Sequence, residues 1–387
     1  GEKMAGTSTG FFKEIISPYL RELMERTKEA YGEGSKEYQA LYNQYVYSPA
    51  ESIPSKESNS KHYEAFVHNS QEPEGLSPAQ PKGIERLYKR QLVVDLTMVC
   101  AAHCRYCLRA YYNPGSLSTE EMDAIVSWVA GEPDLRELLV TGGDPLIVPK
   151  LLKYFISEIA DKAPNIKVVR MGTRLLVQAP EKFNSELYSF FSNYSKAIKF
   201  EVGLQVNHKV ELTPQVLEII ANLRKSGVTV YSQNVLLKGV NDDAESLLEL
   251  YDELRYIGVE SHYLFHAIPL KGTAHFRTDL RESILLAQRL TCSGQLSGRA
   301  KPMFAIMTDI GKVVMYEGSI LGDKDSDGYY EIQTFYKLAD RQRWNPGYQL
   351  PSTARLDKDG NIVVKYLDGD CSPFEFHYEA SEAIMSR

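Results

Sequence analysis

The hydrophobic pattern changes period repeatedly through the middle of the chain. Short runs of apolar and β-branched residues alternate with segments whose apolar residues recur every three or four positions, the spacing of an amphipathic helix. Six such strand–helix units, each about thirty residues long, follow one another up to residue 291. The predicted strands are LVVDLT (92–97), ELLVTGGDP (137–145), IKVVRMGTR (166–174), AIKFEVGLQV (197–206), VTVYSQNVLL (228–237) and ESHYLFHAI (260–268).

Strict alternation of strands and helices predicts an α/β fold with a parallel sheet and crossover helices. Six units fall short of a closed eightfold barrel, so a partial, curved (β/α)6 barrel is expected. In such folds the chemistry lies at the carboxyl ends of the strands. Five features fall at those ends: a cysteine loop after the first strand, and the sequences GGDP, GTR, NH and HAIP after later ones.

The segments on either side of the barrel have different patterns. Residues 1–85 are predicted to form an N-terminal helical extension and a Pro- and Ser-rich connector, ahead of a barrel over 86–300. Residues 301–387 read as a small β-rich C-terminal tail with Gly and Asp turns. The long N-terminal helical segment could serve the interface of a homo-oligomer.

Composition and charge argue against several classes of protein. The 387 residues are 43% hydrophobic and 25% charged, and 44 Lys and Arg against 51 Asp and Glu give a net charge of −7. That balance, without a clustered basic run, argues against a nucleic-acid partner. There is no apolar run long enough for a membrane span and no apolar core of a signal peptide near residue 1, so a cytoplasmic location is expected.

The first βα loop concentrates three of the five cysteines. Cys100, Cys104 and Cys107 have C-x3-C-x2-C spacing within CAAHCRYC. Three thiolates on one loop can bind three irons of a [4Fe–4S] cluster and leave the fourth iron open to another ligand. The alternatives are a zinc site, which would usually have a fourth ligand at similar spacing, and a cluster that only transfers electrons. Cys292 and Cys371 stand alone and are expected to be ordinary small residues.

This motif, placed after the first strand of a six-unit barrel, resembles the radical S-adenosylmethionine (SAM) superfamily. The resemblance implies that the open iron chelates SAM and that the reduced cluster cleaves it to a 5′-deoxyadenosyl radical, which abstracts hydrogen from the substrate. It also implies an electron donor such as flavodoxin or ferredoxin. The turn TGGDPL, with Gly142, Gly143 and Asp144, matches the turn that holds the amino group of SAM.

Further stretches resemble the lysine 2,3-aminomutase family more specifically. They keep their order across residues 80–315: CRYCLR, GGDPL, RMGTR, VNH, QNVLLKGVND, GTAHFR and LSGRAKP. By the resemblance, Arg109 grips the substrate carboxylate. Polar positions around SAM are matched by Gln233, Asn207, His208 and Arg174.

The family also uses pyridoxal phosphate (PLP), and here the chain departs from the pattern. Lys312 matches the lysine that forms the Schiff base, but only Gly311 remains of the glycine-rich run before it. The two phosphate-binding arginines are replaced by Leu87 and Gln91. Arg86 and Arg90 each lie one residue away, so a local shift could restore the site.

The carboxylates that read the distal amine of lysine are missing as well. Their positions are occupied by Ile268 and Met307. Burying an ammonium group against such side chains is costly, so lysine is disfavoured as substrate.

Three hypotheses follow. The first is a radical SAM enzyme of aminomutase-like architecture that acts on a carboxylate-bearing, amino-acid-like small molecule and has lost PLP. The second is a PLP-dependent amino acid 2,3-aminomutase with Lys312 as Schiff-base lysine. The third is a non-catalytic iron–sulfur sensor or electron carrier.

Overall fold

The computed structural model describes residues 12–60, 80–110 and 115–371. Its main feature is a curled nine-stranded sheet whose spatial order follows the order of the strands in the chain. Seven neighbouring strands, β2 to β8, are parallel, and an antiparallel strand flanks them at each edge. The strands are β1 (Ile84–Glu85), β2 (Gln91–Thr97), β3 (Glu137–Gly142), β4 (Val168–Thr173), β5 (Lys199–Gln205), β6 (Val228–Leu236), β7 (Glu260–His266), β8 (Met303–Thr308) and β9 (Gly311–Val314).

Helices connect the parallel strands and cover one face of the sheet. Apolar side chains of both layers form one large core. Ser118 caps the first crossover helix: its hydroxyl accepts from the Glu121 amide while the Glu121 carboxylate accepts from the Ser118 amide. The helices are α3 (Thr119–Ala130), α4 (Pro149–Lys162), α5 (Leu175–Gln178), α6 (Ser185–Tyr194), α7 (Pro214–Lys225), α8 (Ala244–Tyr256) and α9 (Leu280–Cys292).

All six predicted strands are present, and the α/β half-barrel is confirmed. The sheet also continues beyond residue 300. β8, which the sequence assigned to the C-terminal tail, pairs in parallel with β7 through Tyr263 and Met303, and β9 folds back on β8. The division of the chain at residues 85 and 300 stays a prediction.

A second, antiparallel sheet of four strands follows, in the order β10-β11-β13-β12. It has the β-rich character expected of the tail, and α10 (Leu338–Trp344) interrupts it. Residues 372–387 of the predicted tail lie outside the described residues. The strands are β10 (Ile320–Leu321), β11 (Tyr329–Lys337), β12 (Ala354–Leu356) and β13 (Asn361–Leu367).

The N-terminal segment has the predicted helices, α1 (Pro18–Tyr31) and α2 (Lys36–Tyr45). Its first eleven residues and residues 61–79 of the predicted connector lie outside the described part. The buried faces of α1 and α2 pack against Ala102 in the cysteine loop. Among the described residues, no helix is long and apolar enough to cross a membrane.

Candidate active site

A cavity of about 450 Å³ opens at the carboxyl ends of the parallel strands. It brings together features that are far apart in the chain: the cysteine loop after β2, the glycine turn after β3, Arg174 after β4, Gln233 on β6 and Lys312 on β9. This is the edge of the sheet at which the sequence placed the chemistry.

All three cysteines of the loop line this cavity, and none forms a disulfide. Removal from water raises the pKa of the Cys107 thiol to about 11 and also raises those of Cys100 and Cys104. The thiols are therefore neutral at pH 7 until a metal displaces the proton.

Hydrogen-bond donors surround two of the sulfurs. Cys104 Sγ lies 3.4 Å from Nη1 of Arg174 and 3.4 Å from Nε2 of Gln178, and Cys107 Sγ accepts from the amide of Arg109 at 3.3 Å. Donors of this kind stabilise thiolate ligands of iron. In the described part of the chain, no group of three or more His, Cys, Asp and Glu side chains is arranged to bind a metal ion.

The glycine turn leaves no space for side chains. Gly142 has φ +120°, and a Cβ on Gly143 would overlap the carbonyl oxygen of Val99 and lie 2.6 Å from the carbonyl carbon of Met98. The turn therefore packs directly against the backbone that leads into Cys100. A bulkier residue would separate the glycine turn from the cysteine loop.

Asp144 holds this turn to the next strand end. Its carboxylate accepts from the hydroxyl of Thr173 at 2.7 Å and from the amides of Arg174, Leu175 and Leu146 at 2.8–3.1 Å. Burial raises the pKa of Asp144, whereas these donors lower it. The predicted role of Asp144 as a cofactor ligand was not tested, and the carboxylate already has a full set of protein partners.

Arg174 belongs to a buried network behind the cysteine loop. It forms an ion pair with Glu211 and donates to the hydroxyl of Tyr106 and, at 3.2 Å, to Oε1 of Gln44. Asn207 Nδ2 donates to the same two acceptors, at 2.7 Å to Tyr106 and 2.9 Å to Gln44. Gln44 lies on α2, so the N-terminal helices complete this network.

Asn207 and His208, both predicted to contact SAM, are placed behind the cavity wall. Neither is among the lining residues. Asn207 is fully buried and hydrogen-bonded through both side-chain atoms, and His208 accepts from the amide of Val210 at the start of a short 3-10 turn. Their described contacts are those of residues that fix the loop after β5, and direct binding of SAM stays a prediction.

Two glutamine amides face the cavity from neighbouring strands. Gln233 was expected there, and Gln205 is its register partner on β5. Neither side-chain amide has a hydrogen-bond partner among the described residues, so both can bind a polar ligand. Gln205 was missed in the sequence, although its place at the end of a predicted strand was a usable signal.

Arg109 lines the cavity beside an unexpected carboxylate. Its guanidinium forms an ion pair with Asp95 on β2, and Glu85 of β1 also hydrogen-bonds Asp95. Desolvation raises the pKa of Asp95, and the nearby Arg109 opposes that rise. The predicted carboxylate-binding arginine is thus in place, with part of its charge balanced by protein.

Lys312 has the properties of a reactive amine. Burial, followed by the charge of Arg170, lowers its pKa to about 8. Nζ lies 5.5 Å from the ring centre of Tyr263 and 5.6 Å from that of Phe265, and within the described residues it has no hydrogen bond or ion pair. A desolvated lysine near another cation is suited to nucleophilic attack on a carbonyl.

Arg86 and Arg90 do not restore the phosphate site by a local shift, because their side chains contact other residues. Arg86 is buried against Glu132 and Arg90 reaches Asp134, both away from the cavity. Leu87 and Gln91 do line it, and Gln91 accepts from Arg170 at 2.9 Å. Arg86 and Arg90 lie in the loop between β1 and β2 and pair with carboxylates outside the cavity, so neither is available for a phosphate in the cavity.

The comparisons with known proteins agree with this geometry. The radical SAM superfamily model matches residues 94–251. A putative L-lysine 2,3-aminomutase of Treponema pallidum (strain Nichols) is 31% identical over 307 residues, which are 76% of this chain and 78% of that protein. The cysteine loop and half-barrel therefore define a protein of the radical SAM superfamily.

Two further relatives match over shorter stretches. A putative L-lysine 2,3-aminomutase of Aquifex aeolicus (strain VF5) is 33% identical over 252 residues, 64% of this chain. A glutamate 2,3-aminomutase of Clostridioides difficile (strain 630) is 31% identical over 241 residues, 61% of this chain. The chain spans 66% and 56% of the lengths of these two proteins. Within the superfamily, the chain belongs to the lysine 2,3-aminomutase family.

Among solved structures, the crystal structure of Streptococcus suis SuiB bound to S-adenosylmethionine aligns with a TM-score of 0.43 and 13% identity. The alignment covers 56% of this chain and 50% of that one.

Proposed function

We propose that this protein is a radical SAM enzyme that abstracts a hydrogen atom from a carboxylate-bearing, amino-acid-like small molecule other than lysine. The observation that carries the proposal is the meeting of three cysteines, a glycine turn without space for a side chain and two open glutamine amides in one cavity. Such a cavity can hold a cluster, SAM and a small substrate side by side.

Cys100, Cys104 and Cys107 would bind three irons of a [4Fe–4S] cluster, and the donor set fits this group. Thiolates are the ligands that iron–sulfur clusters use, and donors lie within 3.4 Å of Cys104 and Cys107. Arg174 and its partner Glu211 hold the loop after β4 against Cys104. With SAM on the open iron, a reduced cluster supplies the 5′-deoxyadenosyl radical.

The glycine turn and the glutamines would position SAM. The Gly142–Gly143 backbone has no Cβ to keep a ligand away, and the amides of Gln205 and Gln233 can donate to or accept from the adenosyl group. A one-electron donor such as flavodoxin or ferredoxin would reduce the cluster.

Arg109 would bind the substrate carboxylate. Its guanidinium cannot lose its charge, lines the cavity and is held in orientation by Asp95. Because Asp95 balances part of the charge, Arg109 can remain buried without a substrate.

A PLP-dependent 2,3-aminomutase is the second candidate, and Lys312 favours it. With a pKa of about 8, roughly a tenth of this amine is unprotonated at pH 7, a far larger share than for an ordinary lysine, so it is better able to attack an aldehyde. The phosphate group of PLP fits this cavity less well than its aldehyde does. Arg109, Arg174 and Lys312 are the lysines and arginines that line the cavity within the described residues, and all three have other proposed or observed roles.

The test uses anaerobically purified protein reconstituted with iron and sulfide. After reduction with dithionite, we expect an electron paramagnetic resonance signal of a [4Fe–4S]+ cluster that changes on addition of SAM, together with 5′-deoxyadenosine in the product. The Cys104→Ala variant is the control and should give neither. An intact cluster that never cleaves SAM would instead favour the iron–sulfur sensor or carrier.

The two candidates are separated by borohydride reduction in the presence of PLP, followed by peptide mass mapping. A pyridoxyl adduct on Lys312, absent from Lys312→Arg, supports the PLP-dependent aminomutase. An unmodified Lys312 in protein that cleaves SAM supports an enzyme without PLP.

A further inference from the structure

A cluster of apolar side chains lines part of the cavity. Five side chains form it around the buried Leu270, and all five line the cavity. We call this surface the apolar patch. Its residues are Leu87, Met98, Leu108, Ile268 and Met307.

The apolar patch adjoins two cations of the cavity, Arg109 and Lys312. Leu108 precedes Arg109 in the cysteine loop, and Met307 on β8 is the register partner of Lys312 on β9. Patch residues thus lie beside both the guanidinium assigned to the substrate and the lysine amine. Whatever part of the substrate lies there is removed from water.

The carboxylates that line the cavity in the described ranges are already engaged elsewhere. Asp144 accepts from three backbone amides and the Thr173 hydroxyl. Glu85 hydrogen-bonds Asp95 beside Arg109. The apolar patch itself contributes no acceptor for an ammonium group and no donor for a carboxylate.

We propose that the substrate is an amino acid with an apolar side chain, and that this side chain binds on the apolar patch while Arg109 holds the carboxylate. The inference rests on the proposed radical SAM function. An ammonium or carboxylate on the patch would lose its water and gain no partner, which is the most expensive kind of mismatch for a binding site. A leucine, methionine or phenylalanine side chain gains free energy when it leaves water for such a surface, because apolar surface is removed from water.

The inference is tested by deuterium transfer in the reconstituted full-length holoenzyme. The perdeuterated probes are leucine, methionine, phenylalanine, lysine and glutamate, each with SAM and dithionite, with and without PLP. We expect deuterium in 5′-deoxyadenosine from at least one apolar amino acid, with kcat/KM about tenfold or more above the values for lysine and glutamate.

Substitutions in the patch sharpen the test. Ile268→Asp with Met307→Asp places two carboxylates on the surface and should lower kcat/KM for the apolar amino acid about a hundredfold while raising that for lysine. Ile268→Val with Met307→Leu keeps the surface apolar and should keep the preference. Circular dichroism and cluster absorbance verify that both double variants are folded and loaded.

The outcomes are distinct. Equal or faster transfer from lysine or glutamate in the wild type overturns the inference. The inference is also overturned if no apolar amino acid transfers deuterium to 5′-deoxyadenosine in protein that still cleaves SAM slowly without substrate. In that case the proposed radical SAM function stands. If no 5′-deoxyadenosine forms under any condition, the proposed function fails and the inference fails with it.

Discussion

Arg109 and Asp95 form a partly buried ion pair between the two ends of the cysteine loop. Arg109 comes two residues after the last cysteine, and Asp95 is on the strand that leads into the loop. The pair therefore clamps both ends of the segment that carries the three thiols. It also sets the orientation of the guanidinium that we assign to the substrate.

The first prediction concerns this pair. Arg109→Met leaves the Asp95 carboxylate buried without its cation and should lower the free energy of unfolding by about 3–5 kcal/mol, measured by urea denaturation. The double variant Asp95→Leu with Arg109→Met removes both charges and should recover much of that loss. Additive losses in the two single variants and the double variant would show that the pair is not coupled.

The second prediction concerns the pH dependence of stability. The pKa of Lys312 is about 8 in the folded protein against 10.5 for an ordinary lysine, so between these values the unfolded chain binds more protons. Stability conferred by this group therefore increases as the pH rises from 8 to 10.5. The wild type should gain up to about 3 kcal/mol relative to Lys312→Met over that interval. A constant difference between the two unfolding free energies from pH 7 to pH 11 would contradict the lowered pKa.

The third prediction concerns the glycine turn. Gly143→Ala places a methyl group against the Val99 carbonyl and should cost at least about 2 kcal/mol of stability and abolish SAM-dependent changes in the cluster spectrum. Gly298→Ala is the matched control, because its Cβ would meet nothing within 4 Å, and its effect should stay within about 0.5 kcal/mol. Normal SAM binding in Gly143→Ala would argue against a role for this turn.

The fourth prediction concerns the N-terminal segment. Glu51 accepts from Nε of Arg105 at 2.9 Å, and both side chains of this ion pair are buried next to the cysteines. Glu51→Ala should lower the free energy of unfolding by about 3–5 kcal/mol and speed the removal of iron by a chelator.

The control for this variant lies in the same segment. Glu22 and Arg26 form an exposed pair on α1, so Glu22→Ala should change stability by less than about 1 kcal/mol and leave iron release unchanged. Equal rates of iron release in both variants would mean that the segment does not protect the loop.

The parallel sheet could be predicted because each strand is a short apolar, β-branched run with a helix behind it. The β8 strand was the exception. Its sequence MFAIMT resembles the earlier strands, but no helix follows it, and pairing with β7 depends on where the sheet has room for another strand. The local sequence of a strand does not show which sheet edge is open to pair with it.

Site residues could be predicted from the sequence where the strand just before them fixes their position. The three cysteines and Gly142–Gly143 follow strand ends and reach the cavity as expected. The burial of Asn207 depends on Gln44 of the distant N-terminal segment, and the Asp95–Arg109 pair depends on how the cysteine loop folds back on β2, so spacing could not reveal either. Arg86 and Leu87 lie in the loop between β1 and β2, where no strand alternation sets side-chain direction, so the sequence could not predict that Arg86 points away from the cavity.

The contacts of the N-terminal segment also bear on how the protein is assembled. The amide of His103 donates to the carbonyl of Ile15, Arg105 donates to the carbonyl of Phe12, and the ring of His103 stacks on that of Phe12. Phe12 and Ile15 lie far upstream of the loop that they cover, so these contacts can form only after the loop has been synthesised. We therefore expect iron and sulfide to enter before residues 12–60 dock, with that docking as the step that covers the loaded loop.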